Sequence, residues 1–410
     1  MSSFDFDQYL AEDDAAIGRK SVPTDTPVAR TTAIKGRGHA VNPDGRFSQR
    51  SVSVGELADI DSADHGAPRL EPELEFEPAP GQSAECFNPP HPETVLTPMR
   101  TRSIVSSNAS PDIPFDRSIN PYVGCEHGCA YCYARPSHSY LDLSPGLDFE
   151  TKIFYKPDAC DRLLETWQKP GYTVRPISIG ANTDPYQPAE KRLGLTRSLL
   201  QLFLKHRHPV SLITKGTLMR RDLDLLGELA EAGLASVAVS IPTADNALKR
   251  ILEPRVPAAR ERFRLVEDLK AHGVPVTVMM APIIPALNDR EIETIVASAA
   301  NAGADDAAWI LLRLPHELKA LFRQWLDTHY PERADHVISI LRQASGGKDY
   351  DNRFGTRQRG TGVFADLIAR RFDAARKRHD LGKDGRADGN RWADCSQFEP
   401  PGARQLGLPW

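Results

Sequence analysis

"GCEHGCAYCYARP", residues Gly124 to Pro136, places three cysteines at 125, 129 and 132 and offers no fourth at metal-ligand spacing. Thiolates in one tight loop suit either zinc or an iron–sulfur cluster. Structural zinc takes four protein ligands, usually as two separated pairs, and only His127 or His138 stands close enough in sequence to be a fourth. A [4Fe–4S] cluster normally takes one cysteine per iron, so three cysteines leave one iron open to a substrate or cofactor. The fold therefore turns on which elements flank this loop.

Upstream, Ser118 to Val123 reads as a strand that feeds directly into the loop. Downstream, short apolar runs alternate with amphipathic ones: "VRPISIGA", then "EKRLGLTRSLLQLFLKH" as one helix; "PVSLITKG", then "RRDLDLLGELAEAG"; "ASVAVSIPT", then "PAARERFRLVEDLKAHG"; "VPVTVMMAPIIP", then "DREIETIVASAANAG"; and finally "AAWILLRLP". Gly233, Gly273 and Gly303 each follow a helix, where a left-handed cap is wanted. Such alternation means parallel strands joined by helical crossovers. Six strand–helix units, with no GxGxxG after a strand, predict an α/β fold of the partial (βα)6 TIM-type barrel kind. Chemistry in such barrels gathers at the C-terminal ends of the strands, which is where the cysteine loop falls.

Around this core, expected over 99–315, the composition changes. Residues 1–98 are rich in Pro, Gly, Ser and acid and are expected to be a disordered leader. Residues 316–380 read as a helical, basic extension and 381–410 as a loose tail. The chain of 410 residues carries a net charge of −4, so any nucleic-acid site must be a local patch. One exists: Arg353, Arg357, Arg359, Arg370, Arg371, Arg376, Lys377 and Arg378 face only three acids up to Asp380, with Phe354 or Phe364 available to stack on a base. No apolar run is long enough for a membrane span and the N-terminus has no secretory pattern, so a cytoplasmic location is the expectation. Cys86, Cys160 and Cys395 are scattered and read as incidental.

Cys125, Cys129 and Cys132 in C-x3-C-x2-C after the first strand, with Tyr131 before the last cysteine, resemble the signature of the radical S-adenosylmethionine enzymes. The resemblance implies a [4Fe–4S] cluster whose open iron chelates S-adenosylmethionine, and an electron donor of flavodoxin or ferredoxin type. It also implies cofactor contacts at later strand tips. Gly180 would allow close backbone approach, and Asn182, Thr183 and Asp184 match the place where the family binds the cofactor's amino group. Lys215, with Arg255 as a second cation, would meet its carboxylate; Ser240 would meet the ribose, and Asn288 the adenine. No catalytic side chain is assigned.

"DIPFDRSINPYVGCEHGCAYCYARP", "TDPYQPAE" and "MMAPIIPALND" narrow the resemblance to the group of spore photoproduct lyase and DNA repair photolyase-like proteins. That group implies a nucleic acid or modified base as substrate. One departure stands out: the lyase returns a hydrogen atom from a cysteine near the second strand tip, and the matching residue here is Asn182. A peptide or small metabolite is the alternative substrate for the same chemistry, and a non-enzymatic zinc module is the alternative to the chemistry itself.

Overall fold

The computed structural model describes residues 34–47, 93–382 and 393–402. Its strands are β1 (Val95–Pro98), β2 (Val105–Ser107), β3 (Arg117–Ile119), β4 (Tyr122–Val123), β5 (Lys152–Tyr155), β6 (Ile177–Ile179), β7 (Val210–Thr214), β8 (Ala235–Ser240), β9 (Val276–Ile283) and β10 (Asp306–Leu311). The main sheet runs β10-β9-β8-β7-β6-β3-β2. Six of its strands are parallel, as the alternation predicts, and β2 adds an antiparallel edge.

The predicted first strand divides in two. Pro121 lacks the N–H a ladder needs, so pairing with β6 stops at Ile119 and the chain crosses to a second sheet, where β4 pairs with β5. The helix expected after β6 is also two helices, Glu190–Leu193 and Leu195–Lys205, parted where Gly194 takes φ +64°. A helix not foreseen, Asn246–Leu252, follows β8 and is capped by Asp245, which accepts from the N–H of Ala247 at 2.7 Å and of Leu248 at 3.3 Å. Gly233, Gly273 and Gly303 do take positive φ at helix ends.

Burial alternates along the central strands. Val210, Leu212, Val237, Val239, Val276 and Val278 are sealed under the crossover helices, while Ile213, Ala238 and Met279 on the opposite face stay half-buried. One face of the sheet is thus a closed core and the other a lining with room beside it. Its two edges are bridged by residues 351–360: the Gln358 carbonyl accepts from Leu311 N–H at 2.8 Å, while Asp112, between β2 and β3, accepts from Gly355 N–H and Arg357 Nε, both at 2.6 Å.

That bridge changes the reading of the basic extension. The helices Leu318–His329, Pro331–Ala344 and Gly362–Arg378 form as expected, and Ile368 and Phe372 pack inward, but Leu367 is exposed. Arg357 is buried on Asp112; Arg353 pairs with Asp351, Arg371 with Glu293 and Arg376 with Asp306; Arg359 lies 4.4 Å over the Trp309 ring. Most of the charge counted as a phosphate patch is engaged within the fold.

Two further expectations are corrected. Within the span read as a leader, residues 34–47 lie against the cysteine loop and bury Gly38 and His39; residues 1–33 and 48–92, and with them Cys86, fall outside the described residues. Within the expected tail, residues 393–402 are docked: Glu399 N–H donates to His206 O at 2.9 Å, and the Phe398 ring meets those of Trp167 and His208 at 5.7 and 5.1 Å. Among the described residues no helix is long and apolar enough to cross a membrane.

His208 carries a consequence for stability. It stacks on Trp167 at 4.9 Å with Nε2 2.8 Å from the Tyr172 hydroxyl, and burial holds its imidazole down at about 4. The unfolded chain takes up this proton near pH 6.5 whereas the native ring resists it to about 4, so stability is lost as pH falls through that window. We expect His208→Gln to remove on the order of 2 kcal/mol of the wild-type decline between pH 7 and 5 in urea unfolding; an unchanged slope would refute the assignment.

Candidate metal centre and cofactor site

The cysteine loop leaves β4 and is held from both sides. Gln187, fully buried, accepts from Glu126 N–H at 3.0 Å and donates to Gly124 O at 3.2 Å. Cys125 N–H donates to Phe149 O at 2.9 Å, and Ala130 N–H to Leu252 O at 2.9 Å. Arg135 donates from Nε and Nη2 to Cys129 O at 3.0 and 2.9 Å and is itself paired with Glu150, both side chains being wholly buried. The Tyr133 hydroxyl donates to Ala181 O, which pins the loop to the tip of β6.

Burial pushes the Cys129 and Cys132 thiols up, and the three sulfurs lie close enough that each of these two is raised further by its neighbours. Burial thus disfavours the free thiolates, a cost that a bound metal centre would offset. Yet among the described residues no three His, Cys, Asp or Glu side chains converge where one metal ion could sit. His127 turns to Asp184, Nδ1 to Oδ2 at 3.2 Å, and His138 Nε2 to Lys152 O at 3.0 Å. A single zinc requires four converging ligands, and both histidines near the cysteines in sequence are turned to other partners.

Asp184 does not present itself to a ligand. Oδ1 accepts from Thr214 Oγ1 at 2.7 Å and Tyr186 N–H at 2.9 Å, and Oδ2 from Lys215 N–H at 2.7 Å. Burial would raise its pKa, but His127 and these donors hold it at about 2; burial would lower that of His127, but Asp184 and Cys125 lift it to about 10. Thr183 donates to Tyr122 O at 2.7 Å. Gly180, at φ +89°, has no room for a Cβ, which would stand 2.5 Å from Ile213 O. Asn288 is fully buried with its oxygen on Ile284 N–H at 2.6 Å and its amide on the carbonyls of Pro242 and Pro282. Thr183, Asp184 and Asn288 thus have their side-chain polar groups occupied within the fold, and Gly180 supplies a position where no side chain fits.

Others remain available. The Asn182 N–H donates to Asn120 Oδ1 at 2.9 Å, but its own Oδ1 is shielded from solvent with no partner. Lys215 extends toward the cysteines, Nζ 5.8 Å from the centroid of the Tyr131 ring, and makes no ion pair among the described residues. Although burial works against it, Cys129, Glu253 and Asp184 raise its pKa and keep it charged. Ser240 and Arg255, by contrast, are engaged: Ser240 donates to Ala281 O at 3.1 Å, and Arg255 pairs with Glu126 at 3.3 Å beside the loop.

Sequence reasoning missed Glu253 and Arg262. Glu253 accepts the Tyr131 hydroxyl and pairs with Arg262 at 2.8 Å, which donates to Ser240 O at 2.7 Å; both charges are wholly buried. The pair connects the loop to the end of β8. Arg313 was also missed: it follows β10, lies 5.4 Å from the Tyr133 ring, donates to Tyr350 Oη at 3.1 Å, and has a buried Nε without a partner.

A parallel α/β sheet with a three-thiol loop at the carboxyl ends of its strands defines a cluster-binding protein of the barrel class. Residues 119–299 match the model of the Radical SAM superfamily. "Uncharacterized protein Rv2578c" of Mycobacterium tuberculosis is 36% identical over 233 residues, which is 56% of this chain and 68% of the relative. "Uncharacterized protein MJ0683" of Methanocaldococcus jannaschii is 30% identical over 173 residues, 42% of this chain and 62% of that one. Among solved structures, spore photoproduct lyase complexed with dinucleoside spore photoproduct is similar at TM-score 0.49 and 15% identity, over 69% of this chain and 78% of the lyase. The chain belongs to the radical S-adenosylmethionine superfamily, whose cofactors are a [4Fe–4S] cluster and S-adenosylmethionine. The residues present fit both: three thiols for three irons, an unpartnered acceptor on Asn182 for an ammonium, and a free cation on Lys215 for a carboxylate.

Removing one buried charge tests how the loop is supported. Glu253→Ala leaves Arg262 unpaired and is expected to cost about 3–5 kcal/mol in urea unfolding of the metal-free protein. Glu253→Leu with Arg262→Met should recover most of that loss; equal instability of the single and double variants would sink the account.

Proposed function

We propose that this chain is an enzyme that reductively cleaves S-adenosylmethionine at a [4Fe–4S] cluster held by Cys125, Cys129 and Cys132. The observation that carries the reading is the pairing of three thiols in one loop with the free Lys215 cation, and with an unpartnered Asn182 oxygen on the turn that Tyr133 of the loop holds through Ala181 O. When bound, the cluster and cofactor supply an electron and a 5′-deoxyadenosyl radical, which abstracts a hydrogen atom from substrate.

The chain's own residues bind and orient. Lys215 meets the cofactor carboxylate and Asn182 Oδ1 its ammonium, while Asp184 and Thr214 fix the backbone that carries Lys215. Tyr131, its hydroxyl tied down by Glu253, presents its ring beside Lys215. The Asp184–His127 contact keeps the loop from turning outward.

For substrate, the reading we favour is a nucleotide or modified base. Arg313, flanked by the rings of Tyr133 and Tyr350 with an Nε free of protein partners, offers a cation and aromatic faces next to the loop that holds Cys132. The Arg353–Arg378 region contributes less to this reading than its charge suggests, since Arg357 and Arg359 are engaged in the fold. Because Asn182 cannot return a hydrogen atom as a thiol does, dimer reversal by the lyase route is not part of the proposal.

Protein purified without oxygen is expected to carry about four irons and to form 5′-deoxyadenosine on reduction with S-adenosylmethionine, with the product lost in Cys129→Ala. Lys215→Ala should weaken cofactor binding about tenfold to a hundredfold, as loss of a charge-assisted contact does. Asn288→Ala should lower stability yet change that affinity by no more than about twofold. One zinc per chain with no iron after reconstitution would defeat the reading. Stimulation of cleavage by thymidine dinucleotides but not by peptides, and its loss in Arg313→Gln, would support the substrate class; the reverse pattern would overturn it.

A further inference from the structure

Residues 34–47 make contacts that the proposed chemistry does not use. Arg37-Gly38-His39 crosses the cysteine loop at Gly128. A Cβ on Gly38 would stand 1.9 Å from Gly128 O, so only glycine permits the crossing. The N–H groups of Gly38 and His39 donate to the two oxygens of Glu150 at 3.1 and 3.2 Å, and Arg37 Nη1 donates to Glu150 O at 3.0 Å. His39 is buried, and burial together with nearby Arg135 pushes its pKa well down, so the ring is neutral with Nε2 3.0 Å from Ala130 O.

Beyond this crossing the segment is secured at several points. Leu147 N–H donates to Val41 O at 3.1 Å, Asn42 exchanges two hydrogen bonds of 2.9 Å with Asp148, and Ser144 Oγ donates to Pro43 O at 2.6 Å. Arg46 N–H then donates to Glu317 at 3.0 Å, at the start of the helix Leu318–His329.

The Glu150 carboxylate connects these contacts to the metal centre. It is wholly buried, and one cation, Arg135, does not satisfy all its acceptor positions; the two N–H groups of the segment complete it. Arg135 in turn holds Cys129 O with two hydrogen bonds, while His39 holds the next carbonyl, Ala130 O. We propose that residues 37–39 are positioning residues for the cluster ligand Cys129, a strap that fixes the loop before any cluster is inserted and covers the side of it that would otherwise face water and oxygen. The consequence for the cluster rests on the proposed function above; the consequence for the loop does not.

Hydrogen exchange on the full-length, metal-free protein separates the two. In Gly38→Val, amides across 124–136 are expected to exchange about tenfold faster than in wild type while those of β7 to β9 are unchanged. His39→Ala should show the same local effect, and His39→Gln, whose amide can donate to the same carbonyl, should reverse it. After anaerobic reconstitution, Gly38→Val and His39→Ala should lose cluster absorbance in air at least about fivefold faster and shift the electron paramagnetic resonance signal of the reduced cluster. If Gly38→Val fails to fold, the His39 pair decides. Wild-type exchange across the loop in His39→Ala would overturn the strap, as would wild-type bleaching and resonance in variants with a loosened loop. Absence of iron from wild-type protein would count against the cluster reading and leave the exchange result standing.

Discussion

The arrangement depends on a carboxylate that performs no chemistry. Asp184 gathers the Thr214 hydroxyl, the Lys215 and Tyr186 amides and the His127 imidazole around two buried oxygens. Those groups come from the tip of β7, the turn after β6 and the cysteine loop, segments brought together from separate parts of the sequence. A buried carboxylate is costly unless every lone pair is met, so the three segments are held at fixed separations by the requirement to solvate it. The low pKa of Asp184 is the electrostatic expression of the same constraint.

A second constraint is geometric. Six parallel strands are too few to close a cylinder of the eight-strand kind, and an open sheet leaves edges to be covered. Here one edge is capped by the antiparallel β2, and the segment 351–360 spans the gap, engaging β10 through Gln358 and the turn after β2 through Arg357. A stretch that looks like a nucleic-acid patch by charge count is in large part a structural closure. The face of the sheet that carries Ile213, Ala238 and Met279 is left half-buried.

What could be read from the sequence follows from how local each signal is. The parallel strands announced themselves because burial of both faces or of alternate residues imprints on five or six consecutive positions, and the cysteines because ligand spacing lies within one loop. The division at Pro121 was readable in principle, since a residue without an N–H stood inside the proposed strand. The Glu253–Arg262 pair was not, because a lone Glu and Arg nine residues apart look like surface charges until the fold removes water from them. Asn288 and Asp184 misled for a related reason: a polar side chain at a strand tip has the same appearance whether its partners are a ligand or the backbone. Residues 34–47 were hidden by composition. Pro, Gly and Asn in that stretch signal weak local order, yet its contacts are made to residues about a hundred positions away.

Electrostatics around the loop explain why so many buried charges are tolerated there. Arg135 with Glu150, Arg262 with Glu253 and His127 with Asp184 are pairs, each nearly neutral in sum and each with a partner also tied to backbone, Arg135 to Cys129 O, Arg262 to Ser240 O and Asp184 to Lys215 N–H. Lys215 makes no ion pair among the described residues, and its ammonium lies close enough to the thiols to act on Cys129 and Cys132. Three thiolates gathered in a site of low polarity repel one another, and the same burial that makes this repulsion strong makes a nearby ammonium effective against it. The paired charges therefore set the shape of the loop without adding net field. Lys215, unpaired, adds field at the thiols, so its position, held by Asp184 through its own amide, couples the solvation of a buried carboxylate to the charge balance of the metal centre.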